Sequence, residues 1–219
     1  KNRCAKVIRE DLFNPNVLYV GTEGGVFVST DRGQGWVKLH GKGLPTVPVD
    51  DIQQHPRETD LVLGTHGRSI WVLDGAKWLS ELTSEVAAKS LHLFSLTPAR
   101  PRWRIDYPGL WTHKVHRAPN PPMGLRIDYW VGEYIGEDVQ IVIENEKGVR
   151  LKKLGGSGAP GFNRVVWNLE PDEWHQLLDQ GEELTMFNKF FVRPGKYKVK
   201  LALGEHKVEG EFEVLPVYA

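Results

Sequence analysis

His66 and Arg68 flank Gly67 in a turn-forming stretch. A histidine and an arginine on one loop can hold a carboxylate or a phosphate, because the guanidinium offers a two-pronged fork and the imidazole a titratable partner. The same pair also suits a plain turn bonded to neighbouring backbone. Carboxylates gather at Glu10-Asp11, Glu23 and Asp50-Asp51, and glycoside hydrolysis uses such groups in pairs; at strand ends they are also ordinary solvated groups. His113, Lys114, His116 and Arg117 lie among prolines near Trp103 and Trp111. A His-x-x-His pair can bind a metal, but no Cys, Asp or Glu stands close by to complete a site, so no metal is expected. Trp103, Trp111 and Trp130 can stack on a sugar ring, whereas Trp36, Trp71 and Trp167 fall on strand or turn positions and read as core. A Gly-rich phosphate loop, a Gly-x-Ser-x-Gly elbow and a catalytic Cys and His set are all missing, so neither a catalytic residue nor a cofactor is expected.

The elements that carry these candidates are short strands. Leu18 to Asp31 recurs, forty-three positions on, as Leu61 to Asp74, with Leu, Gly, Thr, Gly and Asp coinciding without a gap. A period in the low forties with frequent glycine is the length of one four-stranded propeller blade; helical repeats of that length need long amphipathic helices, which are not seen. Ala5 to Arg9, Val17 to Val20 and Val26 to Ser29 read as strands of the first copy. Ile52 to Gln54, Leu61 to Leu63 and Ser69 to Leu73 repeat the order. Two copies do not close a propeller, so a companion is expected: the remainder of the propeller, upstream in the same protein or on a separate chain.

Ser29-x-Asp31-x-Gly33-x-x-Trp36 has a local chemical logic. Asp accepts from the amides of its own turn, Gly takes a positive φ, and Trp covers the turn with an apolar face. The motif resembles the Asp-box, or BNR repeat, of bacterial neuraminidases, sortilin-type receptors and many secreted propellers, with only the usual Thr before Trp replaced, by Gly35. In the second copy Asp74 is retained, while Ala76 and Leu79 stand for Gly33 and Trp36. Gly43 to Val49, Leu63 to Asp74 and Gly195 to Val199 extend the likeness to large bacterial BNR-repeat proteins of sortilin-like or glycosyl hydrolase-like type. That resemblance implies a structural clasp rather than catalysis for Ser29, Asp31, Gly33, Trp36 and Asp74, an exported protein, and a chain that forms the C-terminal part of something longer. It also implies two further readings: a glycoside hydrolase whose carboxylates lie upstream, and a sortilin-like peptide binder.

Asp74 to Leu82, with apolar Trp78, Leu79 and Leu82, suits a short helix leaving the repeats. Leu91 to Phe94 reads as one more strand, and the prolines from Pro98 to Pro122 make that stretch extended, lying across a surface. Beyond Gly124, strands are expected at Leu125 to Val131, Asp138 to Glu144, Arg164 to Leu169, Lys196 to Leu203 and Lys207 to Val214, with a helical turn over Glu173 to Leu178. The expected architecture is all-β: terminal β-propeller blades over residues 1–82, a Pro-rich connector over 83–123, and an immunoglobulin-like or fibronectin-like β-sandwich over 124–219. Lys plus Arg and Asp plus Glu number 28 each, so no global field draws nucleic acid or acidic lipid. No apolar run approaches the roughly eighteen residues of a membrane helix. The single Cys4 excludes an internal disulfide framework. A glycan or peptide remains the expected class of ligand, with His66, Arg68, Trp103 and Trp111 as the candidate contacts.

Overall fold

The computed structural model describes residues 4–40, 44–101, 123–173 and 191–216. These form four antiparallel sheets, none of them closed, in an all-β chain of two compact units, Lys1–Ala88 and Lys89–Ala219.

In the first unit β1 (Ala5–Glu10), β2 (Leu18–Thr22), β3 (Gly25–Ser29) and β4 (Val37–Lys38) form a meander in chain order. A second meander holds β5 (Val49–Gln54), β6 (Leu61–Thr65) and β7 (Ile70–Leu73). Side chains alternate across a strand, so each sheet has two distinct faces. Tyr19, Val26 and Val28 of the first sheet share one core with Ile52, Leu61, Leu63 and Trp71 of the second. After β7 the chain does not add a fourth strand. It turns through Gly75, at φ 57, into the short helix α1 (Lys77–Glu81), which buries Leu79 in the same core. Helix α2 (Ser84–Ala87) follows, its amino end capped by Thr83, whose hydroxyl accepts from the Val86 amide at 3.2 Å.

The strand registers show where the two copies differ. Leu18 pairs with Ser29, but Leu61 pairs with Leu73; Val20 pairs with Phe27, but Leu63 pairs with Trp71. The hairpin of the second copy, His66-Gly67-Arg68, is one residue longer than Glu23-Gly24. The Arg32 amide donates to the Asn16 carbonyl, and its counterpart, the Ala76 amide, donates to Thr59, both at 2.9 Å. In space, then, Gly75 corresponds to Asp31 and Asp74 to Thr30. A gapless sequence match conceals this shift because identical residues happen to recur at one offset.

In the second unit β8 (Leu91–Leu93), β9 (Leu125–Val131) and β12 (Gly161–Trp167) form one sheet in the order β12-β9-β8. The other sheet runs β11 (Arg150–Gly156), β10 (Val139–Asn145), β13 (Gly195–Leu203), β14 (His206–Val214). Strand β8 falls in the stretch read from sequence as a connector, and it pairs with β9 through Leu91 and Val131. Both sheets contribute to a single core that includes Ile127, Tyr129, Ile141, Trp167, Val199, Leu201 and Phe212. The expected helical turn lies, apart from Glu173, outside the described residues.

Two phenols anchor loops onto this core. Tyr197 donates to the Arg193 carbonyl at 2.6 Å, and Tyr129 donates to the Ser157 carbonyl at 2.8 Å. Burial pushes each phenol up to about 12 from the ordinary 10.0. Above pH 10 an unfolded tyrosine gives up its proton while these two keep theirs, so unfolding releases protons and stability falls as pH rises from about 10 to about 12. Urea denaturation across that window is expected to show a falling midpoint, and the double variant Tyr129→Phe, Tyr197→Phe should make the fall shallower, the raised Tyr19, Lys6 and Lys200 keeping their share.

Candidate functional site

The turn between β3 and β4 is a closed set of hydrogen bonds. Ser29 Oγ donates to Asp31 Oδ1 at 2.7 Å and accepts from the Gly33 amide at 2.8 Å. Asp31 Oδ1 also accepts from the Gly35 amide at 2.8 Å, and Trp36 Nε1 donates to the Gly33 carbonyl at 3.1 Å. Gly33 sits at φ 89, where a side chain would be strained. The Gly35 amide, helped by the Ser29 hydroxyl, holds the Asp31 carboxyl below its ordinary range. Both of these bonds go to Oδ1, while the residue itself is exposed. In the second copy Asp74 follows β7 at the place of Thr30, and Trp71 Nε1 donates to the Arg68 carbonyl at 2.8 Å.

His66 and Arg68 stand exposed at the hairpin between β6 and β7. The His66 amide donates to the Pro48 carbonyl at 2.9 Å, which draws the loop toward β5. Its Nδ1 lies 3.6 Å from Asp50 Oδ2, and Lys6 Nζ lies 2.6 Å from Asp50 Oδ1. One step along, Arg9 donates to Asp51 Oδ1 at 2.9 Å and to the Ile52 carbonyl at 3.0 Å. The hydrogen bond from Lys6 holds Asp50 below the usual carboxylate range; that from Gln53, with Arg9 beside it, does the same for Asp51. A glycosidase acid needs the opposite, a carboxyl kept protonated near neutral pH. The structure therefore brings His66 to Asp50 and Lys6, and it turns the Asp50-Asp51 pair into ion pairs between two sheets.

Asp11 has a different role from the one its sequence neighbours suggest. It is buried, and its Oδ1 accepts from the amides of Phe13 at 2.8 Å and Asn14 at 2.9 Å. Oδ2 accepts from Tyr19 at 2.6 Å, Gln54 at 2.8 Å and Ser80 at 2.9 Å, joining β2, β5 and α1. The second copy repeats the turn with His55, whose Nδ1 accepts from the amides of Arg57 at 3.3 Å and Glu58 at 2.9 Å. The signal was present in sequence as Asp11 followed by Asn14-Pro15-Asn16, a side chain able to bond its own turn.

Trp130 lies on the face of β9 away from the core, between Phe162 and His92. Trp103, Trp111, His113 and His116 fall outside the described residues. Among the described residues there is no group of three His, Cys, Asp or Glu side chains able to hold a metal, and no helix long and apolar enough to cross a membrane.

These features define an all-β chain with a repeated antiparallel sheet and a second, two-sheet unit. No family model matches it, and no curated protein does. Among solved structures it is similar to PorZ, described as an essential bacterial surface component of the type-IX secretion system of Porphyromonas gingivalis, with 16% identity and a TM-score of 0.32. It is also similar to the extracellular domain of BT4673, assigned to a hybrid two-component system of B. thetaiotaomicron, with 10% identity and a TM-score of 0.29. The matches cover 97% and 100% of this chain but 23% and 26% of those chains, so it spans about a quarter of their length.

Proposed function

We propose that this chain is a non-catalytic binding or scaffolding portion of a larger exported β-propeller protein of the Asp-box type, in which further sheets of the same repeat cover its exposed sheet face. One observation carries this reading. Ile8, Val20 and Phe27 occupy, by strand register, the places of Ile52, Leu63 and Trp71. In the second sheet that row lies against the first, and Ile52 is 0% and Leu63 2% exposed; in the first sheet Ile8 is 57% exposed, with Val20 and Phe27 half-buried. A row with the chemistry of a buried one is built to be covered.

The order β12-β9-β8 facing β11-β10-β13-β14 supports a fibronectin-like sandwich for the second unit, as does Tyr197, which near the start of β13 bonds back to Arg193 in the manner of a tyrosine corner. The clasp at Ser29, Asp31, Gly33 and Trp36 supports the Asp-box assignment, and export is proposed on that resemblance. Footprinting of Ile8 and Phe27, in this chain and in any longer polypeptide that contains it, tests the reading. Shielding in the longer protein is expected. Persistent exposure there, or hydrolysis of a glycan panel by the chain that is lost in Glu10→Gln or Asp51→Asn, would overturn it.

A further inference from the structure

The second sheet leaves its own exposed face, and that face has the composition of one that is buried elsewhere in the chain. Gln53, Val62 and Val72 form a cross-strand row, with Ile70 beside it paired to Gly64. Val72 is 51% and Ile70 68% exposed. By register, Val62, Val72 and Ile70 stand where the first sheet has Tyr19, Val28 and Val26, the residues that pack on the second sheet. On the outward face of the first sheet Ile8 is exposed and Leu18, Val20 and Phe27 are half-buried, standing where the second sheet sets Ile52, Leu61, Leu63 and Trp71 against the first. The two open faces are therefore the two halves of a contact that the chain already makes once internally.

We propose that the exposed face of the second sheet docks, head to tail, on the exposed face of the first sheet of a second copy of this chain. The proposal rests on the reading of both sheets as units of one stack. Polar groups fit the same placement. Within the chain Lys6 meets Asp50. By register Asp50 holds in the second sheet the place that Lys6 holds in the first, so the intermolecular contact sets Asp50 toward Lys6 again with the signs exchanged. Within the chain Asp11 meets Gln54. Their counterparts are His55 and Glu10, and since the Nδ1 of the imidazole is engaged by its own turn, the proposed contact would use its Nε2 toward the Glu10 carboxylate of the other copy. A contact between two different faces does not close as a simple dimer; it continues into rings or filaments.

Sedimentation velocity on the 219-residue chain over a range of concentrations tests this. Growth beyond the dimer is expected. Ile8→Glu removes one face and Val72→Glu the other, both at exposed positions, so each variant alone should remain monomeric with unchanged circular dichroism. An equal mixture should then form dimers and stop there, because one intact face of each kind survives. Phe27→Lys with Ile70→Lys supplies a second pair read in the same way. A chain monomeric at every concentration, a mixture that stays monomeric, or a single variant that dimerises by itself overturns the proposal. Failure here leaves the shielding of Ile8 and Phe27 in a longer protein intact as a separate result, and the reverse also holds.

Discussion

Asp11→Ala is expected to lower the unfolding free energy of the first unit by about 3–5 kcal/mol, measured by urea denaturation. The carboxylate accepts from two amides of its own turn and from Tyr19, Gln54 and Ser80. Deleting it strands several donors in a site only 4% exposed, and each stranded donor carries its own desolvation cost. Tyr19→Phe removes one donor and leaves the other four bonds in place, so its cost should be about 1 kcal/mol. The contrast between the two variants is the informative part. If Asp11→Ala costs no more than Tyr19→Phe, the carboxylate is not the joint that the geometry makes it.

Trp167→Ala is expected to cost the second unit about 3–5 kcal/mol, through lost burial and the cavity left behind. Trp167 is the largest fully buried side chain among the described residues, it packs edge-on against Phe212 with ring centroids 6.2 Å apart, and its Nε1 donates to the Glu170 carbonyl at 2.8 Å. It sits on β12, while Phe212 sits on β14 of the facing sheet, so its loss opens the contact between the sheets. Thermal unfolding of the variant should show that transition moving down while the first unit's transition stays in place. A midpoint within a degree or so of the parent's would show that the site collapses around the missing ring.

Strands with one buried face were legible because alternation leaves a pattern that does not depend on tertiary partners. Strand β9 runs over Leu125–Val131 as expected, and β10, β13 and β14 fall within a residue of expectation at each end. Strand β11 was not legible. Its sequence Arg-Leu-Lys-Lys-Leu-Gly-Gly is polar and glycine-bearing, and as an edge strand it buries only Leu151 and Gly156. The clasp around Asp31 could be read because its logic is local. The place of Asp74 could not, because a single added residue in the hairpin at His66 is visible only in strand pairing. Asp11 was misread for a related reason: its partners Gln54 and Ser80 lie 43 and 69 residues away.

That last separation bears on how the chain is made. Asn14 donates to the Ser80 carbonyl at 2.7 Å, and Asp11 accepts from the Ser80 hydroxyl, so the turn after β1 is completed only by α1. On a ribosome, β1 to β7 emerge in order, but the buried carboxylate waits for residue 80 before its last donor arrives. Nascent chains halted short of Ser80 lack both of these bonds, so limited proteolysis is expected to cut them faster than chains that include α1.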